Sequence, residues 1–221
     1  MIQKKLKVKG ILFDLDGTIV DSKKAYLEAA RVAFATFGQE PLETLAALEI
    51  PKRLEQGISI TDLVGRNVNA FLDVYLKTYY AATKNLTVPI RNSEATLAAL
   101  SKKAKLALIT MRFVSKVSVI EELTRVGLAK FFAYVVTAED TRAPKPSPEA
   151  LIGAVKAMDV NICDCVIVGD SVVDVRAGKS AGSMTVAVLS GLYSRDELAK
   201  ENPDLIVKDI TELPEFLEFF F

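Results

Sequence analysis

The residues best suited to chemistry stand early in the chain, in Phe13-Asp14-Leu15-Asp16-Gly17-Thr18. Two carboxylates two positions apart at the end of an extended segment project to the same side, so one ligand can meet both, and Gly17 permits a tight turn straight after them. Carboxylates held that close repel one another unless a cation or a proton is shared between them. The pair therefore asks for a metal ion and a negatively charged substrate. A second acidic pair follows an apolar run late in the chain, in Val168-Gly169-Asp170-Ser171-Val172-Val173-Asp174. If a helix begins there, Asp170 and Asp174 share a face, and with the first pair they supply the acidic ligands of a hard, oxygen-seeking cation such as Mg²⁺. Read alone, the letters G-D-S-x-x-D also suit a plain helix N-cap.

Two lesser candidates lie between these motifs. Thr110 closes the apolar run Leu106–Ile109 and offers a hydroxyl, and Lys145 sits in Pro144-Lys145-Pro146-Ser147-Pro148, where flanking prolines stiffen the backbone. A lone lysine on a loop is ordinarily solvated; placed before a helix start, its charge could neutralise a phosphoryl oxygen. Rival motif readings fail on the letters. An EF-hand would need glycine at 19 and an acid at 25, where Ile19 and Ala25 stand, and a nucleotide loop ending in Gly178-Lys179-Ser180 would need glycine at Val173. The chain has no histidine, which excludes Ser-His-Asp and Cys-His nucleophiles and leaves acid–base work to carboxylates.

These residues need elements to hold them. Ile11–Leu15, interrupted by Asp14, reads as a buried parallel strand. Residues 22–37 read as a helix with Tyr26, Ala29, Ala30, Ala33 and Phe37 on one face and Gly38 as its stop. A second long helix is expected from about Thr61 to Ala82, with shorter helical pieces at Leu42–Leu48 and Lys52–Gln56, so that 22–89 is all helix. Beyond Pro89 helix and strand alternate, with strands at Leu106–Thr110, Tyr134–Thr137, Val166–Val168, Thr185–Val188 and Leu205–Val207, then a C-terminal helix. Helices are expected at 92–103, 114–126, from Ser147 and Pro148 onward, and 174–181. Such alternation implies an α/β core built on a Rossmann-like parallel sheet, from residues 1–20 and 90–221, with a helical cap inserted at 21–89. In open α/β sheets the ligand lies at the carboxyl ends of the strands, where the motif acids are.

Half of the 221 residues are apolar and a quarter charged, with 28 basic residues against 28 acidic ones. That is a globular composition, and its lack of a basic cluster argues against nucleic acid as a partner. No run approaches a membrane span, and no cleavage site follows the basic N-terminus. Cys163 and Cys165 are too few for a disulfide framework or a zinc site and read as ordinary buried or half-buried thiols in a reducing compartment, so a cytoplasmic protein is expected. Phe216, Phe219, Phe220 and Phe221 make an apolar C-terminus suited to packing on the core or on a partner, and the chain is expected to be a monomer or homodimer.

The segments D-L-D-G-T followed by V-D-S, then Thr110, Lys145 and G-D-S-x-x-D, resemble in this order the four motifs of the haloacid dehalogenase superfamily, in its phosphoglycolate-phosphatase-like branch with a helical cap after the first motif. The resemblance covers nearly the whole chain. It implies a Mg²⁺-dependent phosphatase acting on a small phosphorylated metabolite through a phospho-aspartate, with Asp14 as nucleophile and Asp16 as general acid and then base. It implies further that Asp14, the backbone carbonyl of Asp16, Asp170 and Asp174 hold the metal, and that Thr110 and Lys145 hold the phosphoryl oxygens. Where the family often has Asn after the second-motif Thr, this chain has Met111-Arg112, which makes Met111 and Arg112 candidate phosphate contacts. Asp16 argues against dehalogenation, which needs no leaving-group proton. A sugar phosphomutase, a pyrophosphatase or a nucleotidase would use the same aspartates, whereas a non-catalytic scaffold would be expected to lack one of the acids.

Overall fold

The computed structural model describes residues 5–220. Two compact units emerge, one from the segments up to Val20 and from Pro89 onward, the other from Asp21–Val88. The strands are β1 (Leu6–Val8), β2 (Gly10–Phe13), β3 (Val20–Asp21), β4 (Val88–Pro89), β5 (Lys105–Ile109), β6 (Tyr134–Val136), β7 (Cys165–Gly169), β8 (Met184–Val188), β9 (Leu205–Val207) and β10 (Leu217–Phe219). The helices are α1 (Lys23–Thr36), α2 (Thr44–Glu55), α3 (Thr61–Val64), α4 (Val68–Leu86), α5 (Ser93–Leu100), α6 (Lys116–Arg125), α7 (Glu149–Ala157), α8 (Val172–Ala181), α9 (Arg195–Lys200) and α10 (Leu213–Phe216).

In the first unit six strands form one parallel sheet in the order β6-β5-β2-β7-β8-β9. Successive strands step outward on one side of β2, then return and step outward on the other, so the order reverses between β2 and β7. In a doubly wound sheet that reversal opens a crevice at the carboxyl ends of the two central strands. Asp14 follows β2 and Asp170 follows β7, so the reversal brings the two acidic motifs side by side.

The strands are near-continuous apolar runs because both faces of the sheet are covered. Alternate residues divide between the faces. Ile11, Phe13, Leu106, Leu108, Val166 and Val168 pack with Leu97, Leu100, Val119 and Leu123 of α5 and α6. Leu12, Ala107, Ile109 and Ile167 pack with Ala150, Leu151, Ala154 and Val155 of α7. Each fully buried Ile, Leu or Val contributes about 1.5–3 kcal/mol relative to exposure. Gly178 belongs to this packing: a Cβ there would lie 2.4 Å from Ile167 Cγ2, so the glycine of Gly178-Lys179-Ser180 lets α8 press on the sheet.

Several elements differ from the sequence expectation. β2 ends at Phe13, which puts Asp14 just past the strand rather than inside it. The basic N-terminal stretch contains β1, which pairs in parallel with β10, and the expected C-terminal helix is the four-residue α10, followed by that strand. Phe216 and Phe219 pack against the core, while Phe221 lies outside the described residues. Cys163 is exposed and Cys165 buried, both as free thiols.

The second unit is helical apart from its bounding two-residue strands, β3 and β4, which pair with each other. α1 presents a stripe of small residues, Ala25, Ala29, Ala30 and Ala33, against the aromatic Phe71, Tyr75 and Tyr79 of α4. Phe34 and Phe71 meet edge-on at 5.0 Å, and Tyr26 stacks on Tyr79 at 4.6 Å. Phe34 takes the core place expected for Phe37, which is 36% exposed. The single helix expected over 61–82 is broken after Val64, where Gly65 turns at φ +81° before α4 begins. Conversely, the two short pieces expected around Pro51 are one helix, α2, with the proline buried inside it. No described helix is long and apolar enough to cross a membrane.

Tyr75 is 1% exposed, and its hydroxyl has no hydrogen-bond partner among the described residues. Burial without a partner holds the phenol proton far more tightly than in water. Because an unsatisfied buried hydroxyl forfeits its hydration for nothing, Tyr75→Phe is expected to leave stability unchanged or raise it by about 0.5–1 kcal/mol in urea unfolding. A loss above about 1 kcal/mol would show that the hydroxyl is bonded.

Candidate functional site

The loop after β2 is fixed before any side chain is considered. The Asp14 N–H donates to the Val168 carbonyl at 2.9 Å, tying it to β7, and the Gly17 N–H donates to the Val20 carbonyl at 2.7 Å. Gly17 has φ +83°, a left-handed value that favours glycine, and a Cβ there would stand 2.5 Å from Asp170 Oδ2. The glycine thus serves the turn and the approach of the late motif together.

Asp170 is gripped from three sides. The Thr18 hydroxyl donates to Oδ1 at 3.0 Å and the Leu192 N–H to Oδ2 at 3.3 Å, while a Cβ on Gly191 would fall 1.6 Å from Oδ2. Ser190 Oγ donates to the Gly17 carbonyl at 2.6 Å and joins the loop after β8 to the one after β2. Thr18, Ser190, Gly191 and Leu192 were not among the candidates read from sequence. Thr18 stood in the quoted motif, and Ser190-Gly191 follow a strand tip, but the pairing of Thr18 with Asp170 spans 152 residues.

Asp174 does two jobs. It is the third helical residue of α8 in a capping box with Ser171, its Oδ2 accepting from the Ser171 N–H at 3.1 Å. Its Oδ1 accepts from Lys145 Nζ at 2.6 Å. The G-D-S-x-x-D segment therefore caps α8, and its second acid also holds Lys145.

Lys145 is 3% exposed. Its ammonium donates to Asp14 Oδ1 at 2.5 Å, to Asp174 Oδ1 at 2.6 Å and to the Ile109 carbonyl at 3.0 Å, which uses all three protons. Burial works against the charge, but Asp14 and Asp174 outweigh it and hold the ammonium above its usual value. Burial pushes the Asp14 carboxyl up to about 8; Lys145 opposes that rise and Asp174 adds to it. Asp14, Asp170 and Asp174 bring carboxylate oxygens within 4.8 Å of one another, all three residues buried. Three hard oxygen donors, two of them bonded to one ammonium, leave negative charge that a divalent cation would neutralise, so the donor set fits a metal ion.

The second-motif residues form an adjoining group. Thr110, after β5, donates its N–H to the Val136 carbonyl at 2.9 Å, and its hydroxyl oxygen accepts from the Arg112 N–H at 3.2 Å. Met111 packs its side chain against the apolar cluster of Val172, Val173 and Tyr193. The Arg112 guanidinium lies on Asp16, with Nε 2.8 Å from Oδ2 and Nη2 2.6 Å from Oδ1, and its Nη1 donates to Glu122 Oε2 at 2.6 Å. Glu122, on α6, was also absent from the sequence candidates. Asp14, Asp170, Asp174 and Lys145 are thus one buried cluster, and Asp16 with Arg112 is another beside it.

The sequence model of the family described as haloacid dehalogenase-like hydrolase matches residues 11–188, from β2 through β8 and across Asp14, Asp16, Thr110, Arg112, Lys145, Asp170 and Asp174. The chain belongs to the haloacid dehalogenase-like hydrolase family. It is 29% identical to a phosphoglycolate phosphatase of Neisseria meningitidis, covering 96% of this chain and 94% of that protein. It is 26% identical to a pyrophosphatase of Halalkalibacterium halodurans, covering 94% and 96%. Among solved structures, a haloacid dehalogenase-like hydrolase of Streptococcus pneumoniae superposes with a TM-score of 0.79 over 95% of this chain and 98% of that one, at 18% identity. As a haloacid dehalogenase-like hydrolase the chain is an enzyme, and its acids stand at the carboxyl ends of the central strands, where open α/β sheets commonly bind ligands.

Proposed function

We propose that this hydrolase is a Mg²⁺-dependent phosphatase that cleaves a small phosphomonoester through a phospho-aspartate at Asp14. The observation that carries the reading is a carboxylate at the sheet crevice, clustered with two further buried acids and bonded to a buried ammonium, with a second acid two residues on. In this reading Asp16 enters the step as the carboxylic acid; an Asp14 oxygen attacks phosphorus, the bond to the leaving oxygen breaks, and Asp16 gives its proton to that oxygen and is left as the carboxylate. Asp16 then takes a proton from water as the water oxygen attacks phosphorus and releases Asp14. Lys145, the Thr110 hydroxyl and the main chain at Met111 hold the phosphoryl oxygens. Arg112, expected among the phosphate contacts, acts through Asp16. Asp14, Asp170, Asp174 and the Asp16 carbonyl hold Mg²⁺, which when bound offsets the charge of the phosphoryl group and the acids. The unit at 21–88 serves as the cap, and the free thiols suit a reducing cytoplasm.

The names of the relatives divide between a carboxylate-bearing phosphomonoester and a phosphoanhydride. We favour the phosphomonoester because Asp16 supplies a proton donor for an alkoxide leaving group. Phosphate release from phosphoglycolate, sugar phosphates and pyrophosphate with Mg²⁺ and with EDTA tests the proposal. EDTA is expected to remove activity, and turnover that survives it would refute the metal requirement.

The pH dependence has a definite sign. With the folded Asp14 carboxyl near 8 and an unfolded value of about 3.9, the metal-free folded state binds the proton more tightly. Its contribution to stability is therefore present at low pH and lost as pH rises toward about 8. Proton and cation compete for Asp14, so Mg²⁺ should bind more tightly as pH rises. The thermal midpoint in EDTA is expected to fall from about pH 6 to about pH 8.5, and the gain from Mg²⁺ to grow over the same range. A Mg²⁺ gain independent of pH would contradict this.

A further inference from the structure

Asp16 lies outside the named strands and helices, its backbone in an isolated bridge with Val20. It is nonetheless held by a fork: two Arg112 N–H groups, at 2.8 and 2.6 Å, reach both oxygens of one carboxylate and so fix its plane as well as its place. Arg112 is anchored in turn. Its N–H donates to Thr110 Oγ1, its carbonyl accepts from the Ala138 N–H at 3.1 Å, and its Nη1 donates to Glu122 Oε2. The side chains of Arg112 and Glu122 are 4% and 8% exposed.

Glu122 is the informative member. It stands on the face of α6 that carries Val119 and Leu123 into the core, and its Oε1 is buried with no hydrogen-bond partner among the described residues. A buried carboxylate with an unpaired oxygen is a poor way to gain stability, since an apolar residue of similar size would usually do as well or better. What the acid provides is direction: it holds the far end of the guanidinium so that the near end presents its fork to Asp16.

We infer that Arg112 and Glu122 form a positioning arm for Asp16, with Glu122 fixing Arg112 and Arg112 fixing the carboxyl group that faces the leaving oxygen as an acid and then the attacking water as a carboxylate. The inference rests on the proposed proton-carrying role of Asp16. A carboxylate used in both half-reactions has to occupy its place twice per turnover, and misplacement by about 1 Å can cost about 10²-fold. The loss therefore appears in kcat, because substrate binding is left to Lys145, Thr110 and the metal-binding acids.

The experiment compares wild type, Arg112→Ala, Arg112→Lys, Glu122→Ala, Glu122→Gln and the double alanine variant, using p-nitrophenyl phosphate and phosphoglycolate with Mg²⁺. Arg112→Ala is expected to lower kcat by about 10²-fold with KM within about threefold. Arg112→Lys should recover little, because lysine has charge without a fork. Low, non-denaturing guanidinium should restore part of the Arg112→Ala activity. Glu122→Ala should lose about tenfold and Glu122→Gln, whose amide oxygen accepts the same bond, should lose little. The double variant should be no worse than Arg112→Ala, since Glu122 acts through Arg112.

A rise in KM with kcat unchanged would overturn the inference in favour of direct substrate binding by Arg112. Additive losses without guanidinium rescue would overturn it in favour of a structural ion pair. Loss of wild-type turnover on Asp14→Asn establishes the phosphatase reading separately. The arm also has a test without turnover: a crystal structure of Glu122→Ala is expected to show Asp16 and Arg112 displaced, and both residues unmoved would refute it even if no substrate were ever cleaved.

Discussion

Asp14→Asn is expected to lower Mg²⁺-dependent release of p-nitrophenol from its phosphate ester by at least about 10⁴-fold, because the amide has no oxygen anion to attack phosphorus. The change is nearly isosteric, so the loop held by the Val168 carbonyl and the turn at Gly17 should keep their form. Stability should move the other way. Burial makes ionised Asp14 costly in the metal-free protein, with its carboxyl raised to about 8, so removing the charge relieves the folded state above that pH. In EDTA above about pH 8 the variant is expected to melt at or above the wild-type temperature, and Mg²⁺ should raise that temperature less than in wild type. Loss of activity together with unfolding would attribute the effect to structure, and activity within tenfold of wild type would remove Asp14 as nucleophile.

The sheet was legible because doubly buried parallel strands need apolar residues on both faces, and Ile11–Phe13, Leu106–Ile109 and Val166–Val168 carry no other signal. The acids were legible because Asp14 and Asp170 interrupt or end such runs. β1 was hidden by Lys5, Lys7 and Lys9, and its partner β10 lies more than two hundred residues away, a pairing no local pattern reports. The break after Val64 carried one letter of warning, Gly65, inside a period that otherwise continues. Glu122 follows Glu121 on a helix rich in polar residues, and the letters do not say which of the two turns inward. That depends on where α6 lies against the sheet, which fixes Arg112 and Asp16 as well. Thr18 was present in the motif, but its bond to Asp170 exists because β2 and β7 are neighbours. Sequence shows which residues can do chemistry more readily than which ones hold them in place.

Lys145→Ala separates the electrostatic and structural parts of the cluster. The ammonium is bonded to Asp14 and Asp174 with Asp170 close by, so its removal leaves three carboxylates within 4.8 Å of one another without it. Breaking a buried ion pair from one side costs about 3–5 kcal/mol, and that loss is expected in unfolding in EDTA above about pH 8, where Asp14 is ionised. The folded ammonium is held above its ordinary value of about 10.4, so Lys145 itself stays charged below that pH and the pH dependence there comes from Asp14. The deficit should shrink as pH falls and Asp14 takes up a proton, and it should shrink again when Mg²⁺ is added, since either change reduces the repulsion that Lys145 relieves. Turnover should not recover in parallel. A loss of about 10³-fold is expected to persist with saturating Mg²⁺, because a cation among the acids does not replace a donor aimed at the phosphoryl oxygens. Recovery of both stability and activity on adding Mg²⁺ would reduce Lys145 to a counter-ion, whereas recovery of stability alone would place it against the substrate.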